Sequence, residues 1–299
     1  MWISWCVFVV MIFEANYSQV SSSVTDLLSD SIELSLNSCR SQFKWDRWNC
    51  PTIQFLSKRV SGASLDRETA FVHAIGTAAI IYTYARNCSR GQDVGCECDI
   101  FGSDQCRAEK QLSLEYLGSS DFRLDPKGYG NAHNRRAGWI AVQNAMRKHC
   151  RCHGVSGSCA MRTCWSSMRS FAEIATGVKQ MYSGANRLFV DNSGHLNSKE
   201  IRLDRLAFIN DSPDYCRREA VPGWPGMANR QCSVSGPGSD ASSQSPRRKA
   251  CRNLCRQCGL KVRKQTRTEK RKCNCRFNWC CQVVCDSCVE LIDEYRCSS

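Results

Sequence analysis

Four cysteines and a serine form a compact pattern near the middle of the chain, in the sequence CRCHGVSGSCAMRTCW. The cysteines are Cys150, Cys152, Cys159 and Cys164. Nested disulfides, one between the inner two and one between the outer two, would form a hairpin with a tightly constrained tip. Ser156 would lie at that tip, where nearby glycines leave its hydroxyl open to a modifying enzyme. The alternative is an ordinary disulfide loop that carries no modification.

An enzymatic role for this serine does not fit the surrounding sequence. A hydrolase would need the serine in a Gly-x-Ser-x-Gly turn between a strand and a helix. Ser158 stands at the fifth position of this pattern, and no strand-turn-helix context surrounds His153, the nearest candidate base. We therefore expect no enzymatic activity and no catalytic residues.

A second cysteine pattern, CNCRFNWCCQVVCDSC, lies near the C-terminus. Nested bonding of its outer and inner cysteines would form another hairpin. These pairs are Cys273 with Cys288 and Cys275 with Cys285. The residues near the end of the hairpin are Phe277, Trp279, Cys280 and Cys281. Rigid aromatic side chains dominate binding hot spots, so this end is a candidate for insertion into a partner's groove. The alternative is a local cluster of the rings against the disulfides.

The first 18 residues, MWISWCVFVVMIFEANYS, indicate export. Their apolar run is shorter than the roughly 20 residues that a membrane span needs, so we interpret residues 1–18 as a signal peptide. A buried N-terminal strand is the alternative. Removal of the signal would take Cys6 away and leave 22 of the 23 cysteines, an even number that suits disulfides in an oxidising compartment. Glycosylation is predicted at the Asn87 and Asn210 sequons.

Export also bears on metal binding, because Cys-x-Cys spacings occur in zinc sites. Thiols that are consumed as disulfides cannot hold zinc, so we predict no metal site. The chain is expected to be secreted, with its location in the extracellular space and matrix.

Positive charge is concentrated in residues 247–276, which hold 13 Lys or Arg and one acid, or +12 of the chain's net charge of +13. Sulfated glycosaminoglycan is the natural polyanion outside the cell, where nucleic acid is an unsuitable target. We predict glycosaminoglycan binding that weakens with salt, with a solvated loop as the alternative. The candidate residues are Arg247, Arg248, Lys249, Lys261, Arg263, Lys264, Arg267, Lys270, Arg271 and Lys272.

The 299 residues divide into two unlike parts. Hydrophobic residues make up 42% and charged residues 23%, which excludes a disordered chain and a multi-pass membrane protein. In the first part, apolar residues have helical spacing at 24–32, 70–81 and 139–146. From Cys216 onward, twelve cysteines fall within 84 residues, so disulfides must supply the order that packing cannot.

These motifs together resemble the Wnt family of secreted morphogens. Besides the signal and the two cysteine patterns, the matching segments are Arg47–Cys50, Arg67–Phe71, Asn87–Ser89 and Ser212–Cys216. The resemblance implies an α+β, disulfide-rich fold of two domains. A helical N-terminal domain, 19–180, carries the first hairpin, the thumb (150–164). After a linker, 181–206, a cysteine-rich C-terminal domain, 207–299, carries the second hairpin, the finger (273–288).

The resemblance also implies a role for both hairpin tips in developmental signalling. Wnt proteins carry a palmitoleoyl ester on the serine that matches Ser156, attached by the acyltransferase Porcupine, and need no other cofactor. The lipid, beside Val155, enters a groove in the cysteine-rich domain of Frizzled receptors, and the finger tip contacts the opposite face. Further implied partners are the carrier Wntless, a low-density-lipoprotein-receptor-related co-receptor and heparan sulfate. The alternative is a non-acylated, heparin-binding growth factor or matrix module, in which Ser156 has no role.

Family membership would further imply most of the disulfide pairs. These pairs are Cys39–Cys50, Cys88–Cys96, Cys150–Cys164, Cys152–Cys159, Cys232–Cys251, Cys255–Cys297, Cys273–Cys288, Cys275–Cys285 and Cys280–Cys281. The sequence departs from the family pattern around the remaining four cysteines, whose pairing stays open. For them the expectation is Cys98–Cys106 and Cys216–Cys258.

Overall fold

The computed structural model describes residues 25–60, 64–89, 125–190, 202–235, 251–279 and 282–298. Their fold is α+β and rich in disulfides. The chain divides into two compact units. The N-terminal unit takes its residues from Met1–Gln42 and Thr52–Ser212, and the C-terminal unit from Phe43–Pro51 and Pro213–Ser299. No described helix combines the length and the apolar character that a membrane crossing needs.

Helices dominate the described part of the N-terminal unit. They are α1 (25–42), α2 (Thr52–Val60), α3 (Arg67–Ser89), α4 (Pro126–Asn144) and α5 (Phe171–Ser183). Helix α3 is buried nearly all round from Ala70 to Ile81, which confirms the prediction of a buried helix there. It packs so closely against α4 that a methyl group at Gly138 would lie 2.1 Å from the carbonyl oxygen of Ala74. A side chain at Gly138 would therefore force the two helices apart.

One histidine of α3 lies close to two arginines. Burial, followed by the charges of Arg135 on α4 and Arg59 on α2, lowers the pKa of His73 from 6.5 to about 4. The imidazole is therefore neutral at physiological pH. Protonation would add another positive charge to this part of the unit, so acid should weaken the packing of the three helices.

Helix α4 ends earlier than the apolar spacing predicts. The spacing that begins at Trp139 predicts a helix through Met146, but the last helical residue is Asn144. Met146 instead pairs with Met168 in an antiparallel strand pair. The backbone hydrogen bonds of that strand pair replace the next helical turn, which an apolar spacing alone does not reveal.

The described residues of the segment predicted as a linker, 181–206, belong to the N-terminal unit. Its first residues continue α5 as far as Ser183. Further on, two short parallel strands pair with each other; they are β3 (Asn186–Arg187) and β4 (Ala207–Phe208). The boundary between the units consequently lies after Ser212. This division lies six residues beyond 207, the predicted start of the C-terminal domain.

A buried asparagine explains why this segment stays with the N-terminal unit. The Asn134 side chain, on α4, is fully buried. It donates a hydrogen bond to the carbonyl oxygen of Ala207 and accepts one from the N–H of the same residue, both at 2.8 Å. One side chain thus satisfies both backbone groups of a strand residue that is distant in sequence.

A three-stranded antiparallel sheet and a short helix, α6 (251–257), lie in the C-terminal unit. The strands are β5 (Gln231–Ser235), β6 (Lys261–Asn278) and β7 (Gln282–Ser298), in the order β5-β7-β6. The aromatic residues Phe43, Trp48, Tyr215 and Trp224 are buried in this unit. One buried cluster of the unit consists mainly of cysteines, with Met227, Leu254 and Tyr295 packed among them. Disulfides therefore supply much of the order in this unit, as its composition predicts.

Residues 43–51 belong to the C-terminal unit although they come early in the chain. Arg230 donates hydrogen bonds to the backbone carbonyl oxygens of Lys44 and Arg47. Burial lowers the pKa of Arg230 to about 10, so the guanidinium stays charged at neutral pH. These charge-assisted bonds hold the early segment against the loop that precedes β5.

Candidate functional site

The thumb is longer than the predicted 150–164. It is an antiparallel two-stranded ribbon, residues 146–168, closed by two disulfides. Its strands are β1 (Met146–Cys152) and β2 (Arg162–Met168), which pair along their whole length. The disulfides join Cys150 to Cys164 and Cys152 to Cys159. The first bond links two directly opposite residues of the ribbon, and the second closes the loop beyond the strands. The nested arrangement expected from the sequence is therefore present.

A single 3-10 turn, Val155–Gly157, forms the tip of the thumb. The N–H of Gly154 donates to the carbonyl oxygen of Ser158 at 2.8 Å and closes the turn. Ser156 has a φ of 58° and a ψ of 26°. This left-handed conformation costs a residue with a side chain about 1–2 kcal/mol. The disulfide directly below the turn and the closing hydrogen bond hold the tip in this strained form.

The Ser156 hydroxyl is open to reaction. Its side chain is exposed, and the described residues offer it no hydrogen-bond partner. A serine nucleophile needs a base within hydrogen-bond reach, and no described residue supplies one. The hydroxyl is therefore suited to receive a group from an external enzyme.

The loop that carries this hydroxyl also exposes two apolar side chains. Val155, which the sequence predicts as a contact residue, is 90% exposed. Met161, which the sequence analysis did not select, lies on the other side of the tip loop and is 69% exposed. Met161 lies between Cys150 and Cys164, and a short loop closed by disulfides has no core that could bury a large apolar side chain. Its exposure could therefore have been predicted from the sequence. The tip therefore presents an apolar surface beside the reactive group.

The finger is longer than the predicted 273–288. It is formed by β6 and β7, which pair from Lys261 opposite Ser298 to Asn278 opposite Gln282. Two disulfides cross it, Cys273–Cys288 and Cys275–Cys285. The register shifts by a bulge after Cys273, where Asn274 has a φ of 47°. The bulge adds twist between the two disulfides.

Aromatic residues at the finger tip are exposed. Trp279 is 96% exposed and Phe277 is 70% exposed. The alternative interpretation, a local cluster of the rings against the disulfides, is therefore wrong for this structure. Two further tip residues that the sequence analysis missed, Val283 and Val284, are 64% and 53% exposed. Val283 pairs directly with Phe277, so the apolar surface continues onto β7.

Ion pairs along the finger neutralise part of the predicted basic cluster. The candidate residues that form a salt bridge are Lys264, Arg267 and Arg271. Their partners lie on β7 and are Asp293, Glu294 and Glu290. Within the described part of the finger, the candidates without a salt bridge are Lys261, Arg263, Lys270 and Lys272. A charge count along β6 alone therefore overstates the positive field of the finger.

Three cysteine sulfurs come close together in the core of the C-terminal unit. They belong to Cys232, Cys255 and Cys297, and they lie within 4.8 Å of one another. Disulfides already join Cys232 to Cys251 and Cys255 to Cys297. These sulfurs therefore offer no thiolate to a metal ion.

Comparison with known proteins identifies the family. The sequence model of the wnt family matches residues 14–298. The chain belongs to the Wnt family. This Wnt protein is 36% identical to Protein Wnt-8c of Gallus gallus, and the match covers 94% of this chain and 85% of the relative. It is 34% identical to Protein Wnt-8b of Homo sapiens, with the same two shares.

Solved structures show the same fold. A chain in the structure of human WLS in complex with WNT8A matches this Wnt protein with a TM-score of 0.73 and 31% identity, over 92% of this chain and 94% of that chain. The N-terminal domain and linker of Drosophila WntD match with a TM-score of 0.50 and 30% identity, over 64% of this chain and 98% of that chain. The two-domain, disulfide-rich Wnt fold thus accounts for both hairpins.

The remaining predicted sites of this Wnt protein lie in different environments. Asn87 is half-buried near the end of α3, and Asn210 is exposed. The Asn210 side-chain oxygen accepts a hydrogen bond from the N–H of Leu65 at 3.0 Å, so this sequon is tied into the N-terminal unit. Cys39 and Cys50 are both disulfide-bonded and fully buried.

Among the four cysteines whose pairing was open, Cys216 and Cys258 form a disulfide. Cys88 lies near the end of α3. Residues 1–18, the predicted signal, lie outside the described part of the chain, as do these predicted site residues: Cys96, Cys98, Cys106, Arg247, Arg248, Lys249, Cys280 and Cys281.

Proposed function

We propose that this Wnt protein is a secreted ligand that carries palmitoleate on Ser156 and activates Frizzled receptors in development. The observation that carries this proposal is the exposed hydroxyl at a disulfide-constrained tip, which has no hydrogen-bond partner among the residues that the structure describes. A modifying enzyme needs such an accessible group, and a fixed tip then holds the attached chain at a defined place. We assign the transfer to the acyltransferase Porcupine.

The acyl chain would dominate receptor affinity. Burial of about 14 methylene-like carbons at ~0.8 kcal/mol each gives on the order of 10 kcal/mol before the entropy losses of association. Val155, which is 90% exposed beside Ser156, would enter the same groove of the Frizzled cysteine-rich domain. The protein part of the thumb would chiefly place the lipid.

The finger would supply a second contact with the receptor. Its exposed Phe277 and Trp279 are the kind of rigid apolar groups that dominate binding hot spots. We include Cys280 and Cys281 in this contact because they follow Trp279 directly. Heparan sulfate would bind the finger cations that have no salt bridge. These cations are only part of the basic cluster predicted at residues 247–276.

An acylated thumb needs shielding from water before it reaches a receptor. Human WNT8A has been solved in complex with WLS, and this chain matches a chain of that structure over 92% of its length. We assign the same carrier, Wntless, to this protein, and a low-density-lipoprotein-receptor-related protein as co-receptor. We assign it no catalytic activity.

A non-acylated, heparin-binding module is the second candidate function, favoured by the unpaired cations of the finger. The two candidates differ at Ser156. The test compares Ser156→Ala with Ser158→Ala. The second variant is the control, because it makes the same serine-to-alanine change at a neighbouring position. The proposal expects Ser156→Ala to lose at least about 100-fold in affinity for a Frizzled cysteine-rich domain, and Ser158→Ala to bind as wild type. Equal binding by all three proteins would support the second candidate.

A further inference from the structure

The strands of the thumb carry positive charge and no acid. From Met146 to Ser170 the sequence contains no Asp or Glu. Four exposed cations lie on the two strands, namely Arg147, Lys148, Arg151 and Arg162. Within the described residues, none of these four forms a salt bridge. The first acid after β2 is Glu173, which pairs with Arg169 instead. The thumb thus presents a positive field that nothing in its own strands offsets.

The finger provides an internal comparison. It holds more basic residues than the thumb, but Lys264, Arg267 and Arg271 are paired with acids of β7. The thumb strands contain no such acids. A count of charges along the sequence selects residues 247–276, whereas in the described residues part of the finger cations is paired and the four cations of the thumb strands are not. A polyanion would therefore meet less repulsion from carboxylates at the thumb.

One face of the thumb carries two arginines with a histidine between them. Arg147, His149 and Arg151 alternate along β1, so their side chains project from the same face. Adjacent members are about 7 Å apart and the row spans about 13 Å, by the rise of an extended strand. Trp165 lies directly opposite His149, with ring centroids 6.4 Å apart, and is 46% exposed. We call these four residues the cationic face.

We propose that the cationic face of the thumb is a binding site for a sulfated glycan chain. Two guanidinium groups on one face of an extended strand, those of Arg147 and Arg151, can pair with separate negative charges of such a chain, and the exposed indole of Trp165 offers a flat apolar surface to a sugar ring. The remaining cations, Lys148 and Arg162, lie on the opposite face of the ribbon. Cations on both faces favour a flexible polyanion, which can contact both faces of the ribbon. A single acidic protein surface could contact only one of them.

The site is separate from the finger cations that the proposed function assigns to heparan sulfate. It also lies close to the modified tip, because Arg151 is only a few residues from Ser156 along the thumb. A glycan bound here would therefore hold the ligand by the hairpin that carries its lipid, and would compete with a receptor for access to the thumb.

Heparin is the probe, and the test uses the full chain with Ser156→Ala, so that acylation does not influence the result. In this background, R147Q/R151Q removes two charges from the cationic face. The control R217Q/R218Q removes two exposed charges from the C-terminal unit, where nearby acids already pair with them. A second control, R147K/R151K, keeps the charge of the cationic face. Intact disulfides, mapped by mass spectrometry, establish that each variant is folded.

We expect R147Q/R151Q to lower the affinity for heparin by more than about tenfold at physiological salt, and to reduce the slope of log affinity against log salt by about two. R217Q/R218Q should change affinity by less than about twofold, and R147K/R151K should retain most of it. Equal losses in R147Q/R151Q and R217Q/R218Q would show that net charge alone matters and would overturn the proposal. Unchanged heparin binding in R147Q/R151Q would overturn it too, and this result says nothing about the proposed acylation because Ser156 is absent from every variant.

Discussion

The substitution Gly154→Ala should remove acylation of Ser156 without unfolding the protein. A methyl group at Gly154 would lie 2.1 Å from the Ser158 hydroxyl oxygen and 2.4 Å from the Ser158 carbonyl oxygen. The hydroxyl can rotate away, but the carbonyl belongs to the backbone and accepts the hydrogen bond that closes the tip. The tip must therefore open to make room for the methyl group.

The size of the effect follows from these contacts. Loss of the closing hydrogen bond should cost about 1 kcal/mol, and the steric overlap about 1–3 kcal/mol more. Since about 1.4 kcal/mol is a factor of ten, the present tip conformation should become roughly 30- to 1,000-fold less populated. The two thumb disulfides and the helices below are untouched, so the penalty stays local.

Mass spectrometry of protein from cells provides the assay, with Gly157→Ala as the matched control. Nothing lies within 4 Å of a methyl group at Gly157, whose φ is 77°, so this change costs backbone strain without a clash. We expect acylation to fall strongly in Gly154→Ala and less in Gly157→Ala, with thumb disulfides present in both. Wild-type acylation of Gly154→Ala would refute the claim that this tip geometry is what the modifying enzyme recognises.

Four stability predictions can be checked by denaturant or thermal unfolding of the purified protein. Asn134→Ala should destabilise the protein by about 2–4 kcal/mol, because both backbone groups of Ala207 lose their partner; a smaller loss would indicate that the strand redocks. Arg230→Met should cost about 2–3 kcal/mol through the loss of two charge-assisted bonds, and an unchanged midpoint would contradict that role. The pKa of His73 is lowered from 6.5 to about 4, so its contribution to stability should be constant above pH 6.5 and should fall between pH 6.5 and 4, by on the order of 3 kcal/mol; His73→Gln should show a shallower decline. Gly177→Ala, in α5 with open space around it, should stabilise by about 0.5–1 kcal/mol.

Local chemistry made the hairpins predictable from the sequence. Cysteines at nested spacings are close along the chain, so their disulfides could be proposed without knowledge of the fold, as with Cys152 and Cys159. The buried helix at 70–81 could also be predicted from the sequence, because its apolar residues are contiguous. The exposure of Phe277 and Trp279 followed from their position between closely spaced disulfides.

Features that depend on distant partners could not be predicted. The neutralisation of Arg267 requires Glu294, which comes opposite it only through the long pairing of β6 and β7. The assignment of 43–51 to the C-terminal unit depends on Arg230, far along the chain. The left-handed backbone of Ser156 is a further case, since serine has no intrinsic preference for that conformation.

Mass spectrometry of the secreted peptide that holds Cys150–Cys164 tests the central claim most directly. The account predicts one monounsaturated 16-carbon acyl group on Ser156, with both thumb disulfides intact, in the material that activates cells. Fully active secreted protein with an unmodified Ser156 would contradict it.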